Sequence, residues 1–477
     1  MAAALLSKAV GFLMIPVYTH YLSTADYGRL ELLDLTATLI AMLTGMGIGT
    51  AAMRYYYDSD DPPRARTAIS TAFIGSSLIV AVGASLLIAG SWPLAASLLD
   101  EGSLYPYVIL SAVSLFLDSS CAVAQSFMRI QGRSGLLASI SLLRLVIGLS
   151  LNILFVVVFQ FGVVGVLLGG VGGAAVAFAI QATWLVGQVG LRFDAAVFGK
   201  LWRYGFPLVP SAFATFVVAY VDRFLLRNFG TLDDVGVYSL AYKFGFLVQF
   251  LFIGPFHTVW DPRVFDVAKR ANAPAVFARI LTYWCAALLW GALGLSLGAY
   301  ELIPHISPEP YWPARTYVVL IAAAYALNGL RTYAALGLLV TDRTHVLGTA
   351  MGALSVPWIL VYALLIWKLN ALGGALGTFA SYGGNCVVIV FLAQRAYRLP
   401  IEWRRLLLIA ALAVAVYFAG VYCTFDRLLP GATAKVALLL AYPLLLLAAG
   451  FVRPEEKAAI RAGVSRAQRA IRARFSR

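Results

Sequence analysis

An all-α polytopic membrane fold of about fourteen transmembrane helices is what this sequence predicts, on three observations. Hydrophobic residues make up 61% of the 477 and Asp, Glu, Lys and Arg only 12%, half of the roughly 25% charged residues usual in soluble domains. The mean hydropathy of +0.85 is spread along the chain, which excludes a soluble domain carried on one anchor. The apolar runs are also of helical length. A hydrocarbon core of about 30 Å takes roughly 20 residues per helix, and lipid admits only helices or closed barrels because each backbone polar group must be bonded within the chain.

Cutting the runs at clusters of charge, Gly and Pro places the spans near residues 2–21, 29–52, 67–90, 106–128, 135–159, 163–188, 204–227, 235–258, 277–301, 315–340, 345–367, 371–394, 405–424 and 433–452. The first is read as a helix and not as a signal peptide, because it contains Pro16, lacks a small-residue cleavage site and is followed by many further runs. Its abrupt start, with Lys8 inside the apolar run, leaves open a true start upstream of Met1. Pro16, Pro207, Pro210, Pro255 and Pro357 fall within spans, where each permits a bend.

Orientation follows from the basic residues. Of the 36 Lys and Arg, 26 fall on the side of the N-terminus and 7 on the other, and without the C-terminal tail the bias is still 18 to 7. Both termini are therefore expected in the cytoplasm, and the net charge of +14 needs no nucleic acid to explain it. After Phe451, Ile460, Val464, Ala467, Ile471 and Phe475 recur at helical spacing with Arg461, Arg466, Arg469, Arg472 and Arg474 between them. This pattern is either a basic amphipathic helix on anionic lipid or a tail that only enforces topology.

Cys121, Cys285, Cys386 and Cys423 lie far apart, without a CxxC or Cys/His pairing, so no disulfide or metal site is expected. His20, His257, His305 and His345 are equally scattered and read as structural or interfacial. No Gly-rich phosphate loop is present to power a pump, and no cofactor is expected.

The chain also repeats itself. Gly11-Phe-Leu-Met-Ile-Pro16 is echoed by Gly205-Phe-Pro-Leu-Val-Pro210, and Leu22-Ser-Thr-Ala-Asp26-Tyr-Gly28 by Gly230-Thr-Leu-Asp-Asp234-Val-Gly236. An offset of six helices is even, so the two lobes share one orientation and are related by an axis along the membrane normal, a plan that can enclose a central cavity. The expected organisation is an N-terminal lobe at 1–190, a second six-helix lobe at 191–400, two further helices at 401–452 and the basic tail at 453–477.

Charges within the spans point to that cavity. Asp34, Asp118, Arg144, Asp222, Lys243 and Arg331 all fall where lipid is expected. At about 2.5 kcal/mol each, on the most lenient scale, six facing lipid would cost on the order of 15 kcal/mol. Glu31 and Asp34 share a face at i, i+3, as do Asn328 and Arg331. Arg144 and Asn152 lie eight apart, and Asp118 and Gln125 seven apart. Arg144, Lys243 and Arg331, with Asn152 and Asn328, are the substrate-binding candidates, since guanidinium and ammonium groups partner phosphates. Glu31, Asp34, Asp118 and Asp222 are candidates for coupling or ion pairing. Asp222, beside Arg223, reads first as half of an internal pair. The competing account of all these residues is internal ion pairs that only hold helices together.

Together with the two echoes, Val221-Asp-Arg-Phe-Leu-Leu226 and Val235-Gly-Val-Tyr-Ser-Leu240 make the chain resemble the polysaccharide transporter branch of the multidrug/oligosaccharidyl-lipid/polysaccharide flippase superfamily. The resemblance implies a flippase in the bacterial cytoplasmic membrane, not an enzyme. Its cargo would be undecaprenyl-pyrophosphate-linked oligosaccharide for O-antigen, capsule or exopolysaccharide synthesis. It would work by alternating access, with a proton or sodium ion as possible coupling partner and polysaccharide polymerase or export proteins as further partners. A lipid II flippase and a cation-coupled drug exporter of the same fold are the alternatives. From another class, a membrane O-antigen polymerase or ligase would need a long outer loop, and the outer connections here are short.

Overall fold

The computed structural model describes residues 11–45, 47–57, 61–423 and 428–452. The basic tail with its Ile460-to-Phe475 pattern, and residues 1–10 with Lys8, lie outside the described residues. Within them the chain is helical throughout, with no strand, which makes it an all-α polytopic membrane protein.

The chain divides into two compact units, residues 1–240, 306–314 and 352–377 in the first and 241–305, 315–351 and 378–477 in the second. The first begins with α1 (Ile15–Tyr21), α2 (Thr24–Gly45), α3 (Ile48–Tyr57), α4 (Pro62–Ala89) and α5 (Ser91–Leu98). It continues through α6 (Tyr105–Ile130), α7 (Ser134–Asn152), α8 (Gly162–Val189), α9 (Ala195–Gly205) and α10 (Val209–Phe229). Then α11 (Leu232–Val248) leads into the second unit, which holds α12 (Gly254–Ala268), α13 (Ala273–Ile306), α14 (Ala314–Ala334) and α15 (Leu336–Val340). A long segment, α16 (Thr344–Ala396), precedes α17 (Trp403–Tyr422) and α18 (Leu428–Ala448).

A helix lies within each span expected from the sequence, and ten among the described residues are long and apolar enough to cross a membrane. Outside that set, α2 carries Arg29, Glu31 and Asp34. Within it, α16 counts as one segment by hydrogen bonding yet turns at Asn370, whose φ of 48° and ψ of −128° are not helical. Just past that turn, a Cβ on Gly373 would fall 2.0 Å from the Leu365 carbonyl oxygen, so glycine lets the two arms fold back closely. The amphipathic α9 was not expected. Asp194 caps it, accepting hydrogen bonds from the amides of Ala196 at 2.8 Å and Val197 at 3.1 Å, which satisfies two of the free N–H groups at its start.

Each unit holds a buried ion pair. In the first unit Arg223, 1% exposed, and Asp222, 3% exposed, are 2.8 Å apart. Tyr238 donates to the other Asp222 oxygen at 2.6 Å, and Arg223 also donates to the Ala219 carbonyl. In the second unit Lys435 of α18 pairs with Glu301 of α13, both buried, and its ammonium lies 4.6 Å from the Tyr300 ring centroid. This pair ties the last helix to α13.

The two Gly/Asp echoes meet. A Cβ on Gly28 would fall 2.2 Å from the Leu232 carbonyl oxygen, and one on Gly236 would fall 1.9 Å from that of Thr24. Each glycine therefore faces the carbonyl four residues before the other, and α2 and α11 touch backbone to backbone, as small residues permit in membrane helices. Thr24 adds a hydrogen bond to Asp233.

Gly236→Ala is expected to lower the melting temperature in detergent, since overpacking costs about 1–3 kcal/mol. Gly199→Ala, on α9 where nothing lies within 4 Å, should leave it unchanged. Replacing Lys435 alone by Met should destabilise by about 3–5 kcal/mol, and replacing Glu301 as well by Leu should recover most of that loss; thermal unfolding of both variants checks this.

Candidate functional site

A cavity of about 840 Å³ lies within the first unit, among α1, α6, α7 and α8. Its walls come from backbone geometry. A Cβ on Gly165, Gly169 or Gly173 of α8 would fall within about 3 Å of Phe155, Asn152 or the Arg144 carbonyl respectively. This glycine face sets α8 antiparallel and close against α7 and the π-turn Ile153–Val158 that follows it, and π-turns inside helices recur at functional sites.

Polar groups line the cavity at several levels. Arg144 of α7 donates to Asp118 of α6 at 2.8 Å, with the two side chains 44% and 37% exposed. Asn152, eight residues on along α7, sits about 12 Å deeper at a rise of about 1.5 Å per residue. In the antiparallel register, Gln181 lies eight residues past Gly173, about 12 Å from Arg144 on the opposite side. Gln125 and Arg129 continue α6 toward its turn into α7, where Ser134 also lines the cavity. Arg129 donates to the Ser126 hydroxyl at 3.3 Å and has no acidic partner among the described residues. Arg129 and Arg144 against Asp118 therefore leave one net positive charge.

Two further side chains stand out. Asn152 and Gln181 are 9% and 3% exposed, and the amide oxygen of each is buried without a hydrogen-bond partner among the described residues. An unmet buried acceptor costs about 1–3 kcal/mol, and most buried polar groups are satisfied. Such a cavity can bind an anion and can supply acceptors to a ligand rich in O–H or N–H donors.

Of the residues expected from sequence, the cavity brings together Arg144, Asn152 and, through its bond to Arg144, Asp118. Glu31 and Asp34 are on α2, outside the lining, and Asp222 is locked in the buried pair with Arg223 and Tyr238. Arg331 belongs to the second unit, where it donates twice to Asn328, at 2.8 and 3.0 Å, and contacts Met351. Lys243 belongs there too, on the exposed side of α11. Sequence reasoning passed over Arg129, which at the edge of a span looks like a topology signal, and Gln181, a lone uncharged residue in an apolar run. Among the described residues no group of His, Cys, Asp and Glu is arranged to hold a metal ion.

The sequence model of the family described as polysaccharide biosynthesis protein matches residues 1–267, a stretch that includes every residue lining the cavity. Among solved structures, the lipid II flippase MurJ in an inward closed conformation is similar over 95% of this chain and 99% of its own, with a TM-score of 0.75 at 13% identity. A multidrug resistance MATE family transporter in an inward-facing conformation is similar over 85% of this chain and 99% of its own, with a TM-score of 0.52 at 15% identity. The outward-facing conformation of a MATE family transporter covers 83% and 93%, with a TM-score of 0.52 at 14% identity. A search of curated proteins returned no match.

A wet cavity and a lipid-facing surface on one helix are separable by chemistry. In a background with the native cysteines replaced by alanine, Ser141→Cys, on the cavity wall, should react with a membrane-impermeant maleimide. Leu143→Cys, on the exposed side of α7 away from the lining, should react at least tenfold more slowly when the two labelling rates are compared in membranes.

Proposed function

Since the chain belongs to the polysaccharide biosynthesis protein family, we propose that it is a flippase carrying a lipid-linked oligosaccharide across the bacterial cytoplasmic membrane. The observation that carries this reading is the cavity of the first unit, which joins a net positive charge to unpartnered amide acceptors inside an apolar bundle. A pyrophosphate needs the first and a sugar the second. A hydrophobic drug needs neither, which weighs against a drug exporter.

The chain crosses the membrane fourteen times with both termini in the cytoplasm, the basic residues supplying the orientation. Two repeated lobes, 1–190 and 191–400, alternate access to the cargo, with 401–452 as two added helices. Arg144, with Asn152, belongs to the cargo site, and Asp118 pairs with the Arg144 guanidinium there. Arg331, Asn328 and Lys243 are further candidate binding residues. A proton or sodium gradient drives the cycle, with Asp34 and Glu31 as coupling groups, and undecaprenyl pyrophosphate is the lipid carrier. Polymerase or export proteins of the same pathway are its partners. Transport of lipid II is the second reading, favoured by the fold likeness to MurJ over nearly the whole chain.

Proteoliposomes containing the protein should translocate an undecaprenyl-pyrophosphate-linked oligosaccharide without ATP under an imposed ion gradient. Arg144→Ala should slow translocation about tenfold or more, the equivalent of one charge-assisted hydrogen bond of about 1.5 kcal/mol, while the protein stays inserted. No translocation of any lipid-linked sugar under both an ion gradient and a membrane potential would contradict the reading, and transport of lipid II alone would select the second.

A further inference from the structure

We infer that the cavity divides its cargo between two ends, with Arg129 holding the phosphate at the membrane face and Gln181, the Asp118–Arg144 pair and Asn152 reading the sugar further in. This rests on the cargo reading above and adds to it the orientation of the cargo and a residue for each part.

Charge makes the first distinction. The guanidinium of Arg144 is already neutralised by Asp118 at 2.8 Å, whereas Arg129 bonds only the Ser126 hydroxyl among the described residues. The uncompensated cation is the one that gains most from a phosphate. A closed Arg–Asp pair carries no net charge, yet its guanidinium donates and its carboxylate accepts, which suits hydroxyl groups.

Depth makes the second. Arg129 lies eleven residues beyond Asp118 on α6, about 16 Å from the level of Arg144, so one phosphate group does not bridge both arginines. The α6–α7 turn with Arg129 and Arg133 is a helix end, where charged residues sit at headgroup depth. A polyprenyl tail stays in hydrocarbon, so its phosphate rests at that depth and only the sugar can enter the polar cavity.

The amide oxygens make the third. A carbonyl oxygen repels a phosphate oxygen and accepts from a hydroxyl or an acetamido N–H. The unpartnered oxygens of Gln181 and Asn152 therefore match the O–H and N–H donors of a sugar. Asn152 is held against α8 because Gly169 leaves no space, a Cβ there falling 2.8 Å from its Cγ. Gln181, about 4 Å further in than Arg129 by the same register, meets the sugar next to the phosphate.

The test is binding to the full-length protein in nanodiscs of two probes, undecaprenyl pyrophosphate and undecaprenyl-pyrophosphoryl N-acetylglucosamine. Arg129→Gln should weaken both at least tenfold, with Arg129→Lys recovering most of the loss. Gln181→Leu should weaken only the sugar-bearing probe, by about fivefold or more, and Gln181→Met replaces it if the Leu variant loses its thermal unfolding transition. Binding of the bare lipid unchanged by Arg129→Gln, or both probes weakened equally by either Gln181 variant, would overturn the division while leaving the cargo reading intact. A wild-type protein that holds neither probe would overturn both.

Discussion

Hydrocarbon offers no hydrogen bonds, so each polar group in this chain is answered from within it or else marks a place where something else answers. The buried charges follow the first course. Asp222 and Arg223 are closed by Tyr238 and Glu301 is closed by Lys435, while the half-exposed Asp118 is paired with Arg144. The amide oxygens of Asn152 and Gln181 follow the second, and both residues line one cavity together with the exposed Arg129. The candidate site thus gathers two of several exceptions to the rule that organises the fold, with Ser120, Ser239 and Trp260 holding others elsewhere among the described residues.

Close backbone approach is the means by which that site is built. Glycines at every fourth position of α8 let it lie on α7, and the side chains on the two margins of that seam, Arg144 and Asn152 on one helix and Gln181 on the other, are turned to the same space. Gly28 and Gly236 do the same for the repeated segments of α2 and α11, with each glycine against a carbonyl of the other. A repeat that is only a short echo in sequence becomes a reciprocal contact in space. The local backbone strain usual for glycine has no part in it; the absence of a Cβ is what matters.

The fold class, the helical spans and part of the site were legible because the bilayer imposes a one-dimensional rule. Twenty apolar residues announce a span, and a charge within one announces an interior, which is how Arg144, Asp118 and Asn152 came to notice. Arg129 was hidden because a cation at the end of a span obeys the topology rule equally well, and Gln181 because an uncharged amide is not costly enough to stand out. The Lys435–Glu301 pair joins residues 134 apart, a partnership no local pattern carries. The amphipathic α9 was hidden in a connection, where its cap, Asp194, is the one local sign.

Whether the cavity of the first unit receives the phosphate and sugar of a lipid-linked cargo is decided by a cryo-electron microscopy reconstruction of the protein in nanodiscs loaded with undecaprenyl-pyrophosphoryl N-acetylglucosamine. Density is expected for the pyrophosphate within hydrogen-bond distance of the Arg129 guanidinium and for the sugar beside Gln181. Headgroup density outside the space between α1, α6, α7 and α8, with that cavity holding none, would contradict that expectation.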